Sequence, residues 1–389
     1  MLDVAERRRR LGRRHHLAPA SSAACPLEVA RSLVAVHATD PASVFLSAAA
    51  RLQRPDVPAI EHALYVDRVL VRMLGMRRTM FVVPTDFAPV VQAACTRAIA
   101  LRLRRQYQQL LQQAGVVDDV PAWLARVEDA TLAALRARGD ATAQELAQDV
   151  PELKTQVLLA AGKSYAALQG ISTRVLMQLS ADGRIVRGRP RGSWISSQYR
   201  WSTVEAWLPG GLPTRSTAAA QVDLVRAWLR SFGPGTLLDL KWWTGLTMGE
   251  VKRALGHLQV VEVDLGDAAG LALADDLEPT PPPEPWVSLL PALDATPMGY
   301  AERSWFLGSH APAVFDRSGN IGPTVWCDGR IVGGWSQRKN GEVVYRVLED
   351  IGREAEQRVD AAAHALSAWL GPIRITPRFR TPLERQLAT

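Results

Sequence analysis

Apolar positions recur every three or four residues through most of the first 280 positions and then alternate in short runs, so helices are expected first and strands last. The middle of the chain is the most legible part. Val127, Ala130, Ala134 and Leu135 form one helix face that ends at Gly139. Thr142 and Glu145 then make a capping box for a short helix carrying Leu146. A third helix with Ile171, Val175 and Leu179 stops at Asp182-Gly183, after an unusually long connection over 151–168. A basic stretch, 184–195, follows, and its Gly188 and Gly192 predict the turns of a hairpin. Three helices followed by a hairpin is the order of a winged-helix unit.

The same order returns twice. After a Pro/Gly seam at 209–213, Thr217 is expected to cap a helix with Val222, Leu224, Val225 and Trp228. Gly233-Pro-Gly235 turns the chain into a helix with Leu238, Trp242 and Trp243. Thr247 caps a third helix reaching Leu258, and a strand covers 260–265. A fainter copy opens the chain, with helices over 28–37, 41–52 and 60–66 and a hairpin over 69–83 containing Gly75, Arg77 and Arg78. Beyond the proline-dense seam 279–285, strand-like runs at 286–290, 324–327, 331–336 and 343–348 are joined in part by Asp328-Gly329 and Asn340-Gly341, which suit tight turns. They predict a small antiparallel barrel or sheet with a helix over 354–370. The expected architecture is therefore α+β: winged-helix units at 1–120, 121–208 and 214–278, then a barrel-like region at 286–389.

Composition changes this picture in one respect. A length of 389 residues with 47% hydrophobic and 22% charged residues fits several folded domains. The net charge of +7 is carried mostly by arginine, whose planar fork matches phosphate oxygens. Cys25, Cys95 and Cys327 are scattered and support neither a disulfide framework nor a zinc site. No apolar run reaches membrane-span length. The arginines at 7–10, 13 and 14 precede no apolar h-region and suit a helix against phosphate or a solvated arm. A cytoplasmic, nucleoid-associated monomer without metal or cofactor is expected.

Phosphate contacts are expected from Arg184, Arg187, Arg189 and Arg191 on the middle hairpin, and from Arg77 and Arg78 on the first. Nucleotide-cradling loops, zincin motifs and nucleophile elbows are not found. One chemical candidate remains, around His37. With Val29 and Leu33 at helical spacing it projects from an apolar face, where a packed core histidine is the common outcome. Asp40 precedes Pro41 and suits a helix N-cap.

Four segments follow the order of a known family over nearly the whole chain: 36–52 (VHATDPASVFLSAAARL), 232–246 (FGPGTLLDLKWWTGL), 290–300 (LPALDATPMGY) and 322–335 (GPTVWCDGRIVGGW). They resemble the AlkZ/YcaQ-like DNA glycosylases, built from tandem winged helices. The resemblance implies excision of bulky alkylated purines, including interstrand crosslinks made by antibiotics. The family's better-known motif is Gln-apolar-Gln or Gln-apolar-Asp; His37, Ala38 and Thr39 stand there in this chain, as in a His-apolar-Ser/Thr branch. On that footing His37 is expected to act as general base, Thr39 to hold the water, and Asp40 to orient the imidazole or add negative potential near the sugar. No lysine lies near the motif, so hydrolysis without a Schiff base is expected: a monofunctional glycosylase serving repair or self-resistance to genotoxic natural products. The alternative is a winged-helix regulator that binds DNA without chemistry.

Overall fold

The computed structural model describes residues 2–159, 167–266 and 268–389. It is an α+β protein whose sheets are all antiparallel. The opening helix, Val4–Arg14, is capped by the Asp3 carboxylate, which accepts from the Glu6 N–H at 2.8 Å. Arg13 is exposed, but most of its other arginines are turned into the protein. Arg10 is 2% exposed and paired with Glu6 and Asp276, Arg14 also pairs with Asp276, and Arg7 lies 3.9 Å over the Trp305 ring.

The expected helix over 28–37 is much shorter. It spans Pro26–Ser32, and the chain then breaks at Val34, which adopts φ 61°. A β-branched residue is costly in that region, by about 1–3 kcal/mol. Strand pairing holds the break in place, because Val36 and His37 join a sheet opposite Val82 and Phe81. His37 therefore sits on a strand, not on a helix face. The partner strand, Thr79–Pro84, is the second arm of a hairpin whose first arm is Leu70–Gly75. The expected hairpin over 69–83 is thus present, and Arg77 and Arg78 make its turn, both with positive φ.

In the middle of the chain, helices Val120–Arg138, Ala143–Asp149 and Ser172–Ala181 precede a hairpin. The capping box of Thr142 and Glu145 is formed. The hairpin differs from expectation. Gly188 lies inside the strand Ile185–Pro190, and the return strand is Tyr199–Thr203. The absence of a side chain at Gly188 lets the Trp207 ring close in, since a Cβ would stand 3.0 Å from it. The long connection contains a turn at Pro151–Lys154 and a hairpin of Gln156–Leu159 with Ala167–Gly170.

Helices Thr217–Phe232, Leu237–Thr244 and Met248–Leu255 follow, with a hairpin of Val260–Asp264 and Ala269–Leu273. Thr247 caps as expected, with Glu250 completing its box, but Ser216 rather than Thr217 holds the N-cap position of the first of these helices. The C-terminal strands Val287–Leu290, Thr324–Cys327, Arg330–Gln337 and Val343–Val347 form an open sheet in sequential order, so the barrel alternative is set aside. Helix Arg353–Leu370 packs on this sheet.

The cores cross the seams. Phe45, Leu74 and Val82 share one apolar cluster with Val332, Trp335 and Val359, so the C-terminal sheet buttresses the His37 segment. A buried ion pair does the same. Arg51 and Asp294, both 0% exposed at the side chain, meet at 2.7 Å, and Asp294 also accepts from the Ser47 hydroxyl at 2.6 Å.

Candidate active site and nucleic-acid interface

His37, Ala38 and Thr39 leave the edge of the first sheet and run into the helix Pro41–Ala49. Asp40 caps that helix: its Oδ1 accepts from the Ala42 N–H at 3.1 Å. Its Oδ2 accepts from the Arg378 N–H at 3.0 Å, which ties the C-terminal segment to the motif. Neither carboxylate oxygen bonds to the imidazole. His37 is 6% exposed, edge-on to the Phe81 ring with centroids 5.6 Å apart. Its Nδ1 faces the Thr39 N–H at 3.5 Å, a long contact. Burial, and then the positive charge of Arg77, push its pKa down to about 3; Asp294 acts in the opposite sense. The imidazole is therefore neutral throughout the neutral range.

Thr39, unlike His37, opens onto a cleft of about 640 Å³. Leu74, Met80, Leu176 and Met177 supply an apolar side, and Tyr199 and Trp201 supply aromatic rings. Four arginines also line it: Arg78, Arg187, Arg191 and Arg378. No carboxylate and no lysine line it among the described residues. Burial, then the neighbouring Arg72, lower the Arg187 pKa to about 10. The Arg187 guanidinium lies 5.0 Å from the Trp201 ring centre.

The structure divides the residues singled out from sequence. Thr39, Arg78, Arg187 and Arg191 meet at the cleft, with His37 buried behind them. Arg77 turns away and stacks 3.7 Å over Trp242. Arg184 pairs with Asp129 at 3.6 Å, and Arg189 pairs with Glu61. Tyr199 and Arg378, which line the cleft, and Arg72, buried against the Tyr199 ring, escaped sequence reasoning. Arg72 carried a usable signal, being the lone charge in an otherwise apolar strand, Leu70–Gly75. Arg378 carried none, because nothing in the periodicity of the tail links it to the motif. Three or more His, Cys, Asp or Glu side chains nowhere gather as a metal-binding group among the described residues. No helix among them is long and apolar enough to cross a membrane.

A family profile described as DNA glycosylase AlkZ-like matches residues 30–369. The chain belongs to the AlkZ-like DNA glycosylase family. The matched region contains the His37 segment and all the predicted DNA-contacting arginines, but stops short of Arg378. Among solved structures, the Streptomyces sahachiroi DNA glycosylase AlkZ superposes with a TM-score of 0.71 at 20% identity, covering 96% of this chain and 98% of that one. At that identity the likeness speaks for the fold. No curated protein matches the sequence. A place in DNA repair and a DNA partner follow from membership in the AlkZ-like family.

Proposed function

We propose that this AlkZ-like protein is a monofunctional glycosylase that hydrolyses the N-glycosidic bond of bulky N7-alkylated purines in duplex DNA, in repair or in self-resistance to a genotoxic natural product. One observation carries this: the cleft beside Thr39 combines arginines, aromatic rings and an apolar side with no facing carboxylate. Phosphates suit the first, base faces the second and a bulky adduct the third. Its volume of about 640 Å³ is that of an ordinary small-molecule pocket.

Alkylation at N7 makes the base cationic and already a good leaving group. The protein's task is then to hold the nucleotide, tolerate an oxocarbenium-like sugar and aim a water at C1′. The Thr39 hydroxyl, at the cleft, is the proposed holder of that water. Neutral His37 acts from behind as a positioning residue for the Thr39 backbone, in place of the general base expected from sequence. Asp40 fixes the start of the next helix and the Arg378 segment. Among the described residues no lysine lines the cleft, which supports hydrolysis without a Schiff base. The three-helix-plus-hairpin orders at 121–208 and 214–278 support their reading as winged-helix units, with the middle hairpin presenting Arg187 and Arg191 to the backbone.

The test is incubation of the protein with duplex carrying an N7-alkylguanine, followed by alkali. Release of the free modified base above the rate of the protein-free duplex, with the strand intact until alkali is added, is the expected result. Cleavage without alkali would indicate lyase chemistry. Sequence-selective binding with intact adduct would point to a regulator.

A further inference from the structure

Two guanidiniums flank one ring at the wall of the cleft. The Arg72 Cζ lies 4.8 Å from the centre of the Tyr199 ring, and the Arg187 Cζ lies 5.4 Å from the same centre. Arg72 is 3% exposed. It donates one N–H to the Ala38 carbonyl at 2.9 Å and lies beside the Tyr65 hydroxyl, a neutral neighbour whose pKa burial raises and the Arg72 charge pulls down; among the described residues it meets no carboxylate. The buried Nε of Arg187 has no acceptor among them. Arg187 reaches no carboxylate among them either; Glu61, on the neighbouring helix, is engaged by Arg189. Arg10 and Arg51, buried as deeply as Arg72, are each paired with one. Buried cations are ordinarily paired. Among the described residues no carboxylate supplies that counter-charge, and the cleft is where Arg187 meets solvent.

We propose that Arg187, backed by Arg72 across the Tyr199 ring, seats one phosphodiester of the DNA strand next to the nucleotide being excised. This rests on the glycosylase reading of the cleft and names the part of the substrate that the site holds. A phosphodiester fits because it brings a single negative charge and unesterified oxygens that accept from several N–H donors at once. Because Arg72 also holds the Ala38 carbonyl, it couples that phosphate to the segment carrying Thr39. Arg72 is a positioning residue in this scheme.

The probe is a duplex with one tetrahydrofuran abasic analogue, which has no base to release, so binding is read independently of excision. In a series of such duplexes, each phosphate flanking the analogue is replaced in turn by a neutral methylphosphonate. The parent protein is expected to lose about ten- to hundredfold in affinity at one position, the range for hydrogen bonds to a charged group, and far less at the others. Arg187→Gln is expected to bind the all-phosphate duplex with a similar loss and to ignore the substitution at that position. Its parent side chain makes no hydrogen bond within the chain among the described residues, so this variant keeps the test decisive should an Arg72 variant misfold. Arg72→Lys, which keeps the charge and loses the fork, should blunt the response at the same position, whereas a merely structural Arg72 would weaken binding at all positions alike. Equal, small losses at every position for the parent protein would overturn the phosphate seat, as would an undiminished response in Arg187→Gln. The excision reading fails separately: a position effect without release from alkylated duplex would overturn excision alone, and release without a position effect would overturn the seat alone.

Discussion

Excision by this chain is expected to show no imidazole titration between pH 5 and pH 8. The perturbation is pH itself, acting on His37. Burial, reinforced by Arg77, holds that ring to a pKa of about 3. At pH 5 such a group is about 1% protonated, whereas a histidine at the ordinary value near 6.5 would be about 97% protonated. Single-turnover rates on an N7-alkylguanine duplex, corrected for spontaneous depurination, should therefore stay level across this range. His37→Gln should leave the flat profile unchanged. A rate that climbs tenfold or more to a plateau with a midpoint near 6.5, and loses that shape in His37→Gln, would overturn the neutral, positioning role of His37; it would mean that the ring titrates as a base in the DNA complex. The same burial bears on stability, with a definite sign. His15 is likewise buried and held to about 3. Both folded values lie below the unfolded one, so their contribution is complete above about pH 6.5 and is lost as pH falls from there toward 3. The slope for two such groups is at most about 2.7 kcal/mol per pH unit. Melting temperatures should fall through this window, and less steeply in a variant carrying His15→Gln and His37→Gln.

Three further outcomes are expected. Asp294→Ala strands the buried Arg51 guanidinium and should cost about 3–5 kcal/mol in urea unfolding; a loss below about 1 kcal/mol would show that the pair is not the clasp between the N-terminal and C-terminal parts. Arg187→Ala combined with Arg191→Ala should reduce the salt dependence of duplex binding by about two units of slope, while Arg184→Ala with Arg189→Ala, whose side chains face Asp129 and Glu61, should change it little. Excision should persist in EDTA, and activity lost to the chelator and restored by zinc or magnesium would overturn the metal-free mechanism.

Local chemistry made much of the helical framework legible. Thr142 with Glu145 and Thr247 with Glu250 form capping boxes whose partners lie three residues apart, so the signal and the structure sit in the same short window. The turn at 76–78 was likewise bracketed by strands rich in apolar residues. What failed was set by distant partners. Nothing local ends the helix at Ser32, because the run through Val34 and Val36 contains no glycine or proline. The ending comes from pairing with Val82 and Phe81, more than forty residues away. Gly188 suggested a turn and instead makes room for Trp207. The site was half legible for the same reason. Thr39 and the basic hairpin stand out along the chain, but which arginines share a cleft depends on how the hairpins 70–84 and 185–203 meet, and on the arrival of Arg378 from the tail.

Whether Thr39 serves a glycosylase reaction is decided by single-turnover release of the free modified base, detected by mass spectrometry, from an N7-alkylguanine duplex by the parent protein and by Thr39→Val. The substitution keeps the shape of the side chain and removes only its hydroxyl at the cleft. The parent should release the intact alkylated base, and Thr39→Val should do so about a hundredfold more slowly or worse with little change in DNA affinity, the usual effect of losing one group that acts on the transition state. No free base from the parent protein would contradict the glycosylase reading, and release by Thr39→Val at the parental rate would contradict the role given to its hydroxyl.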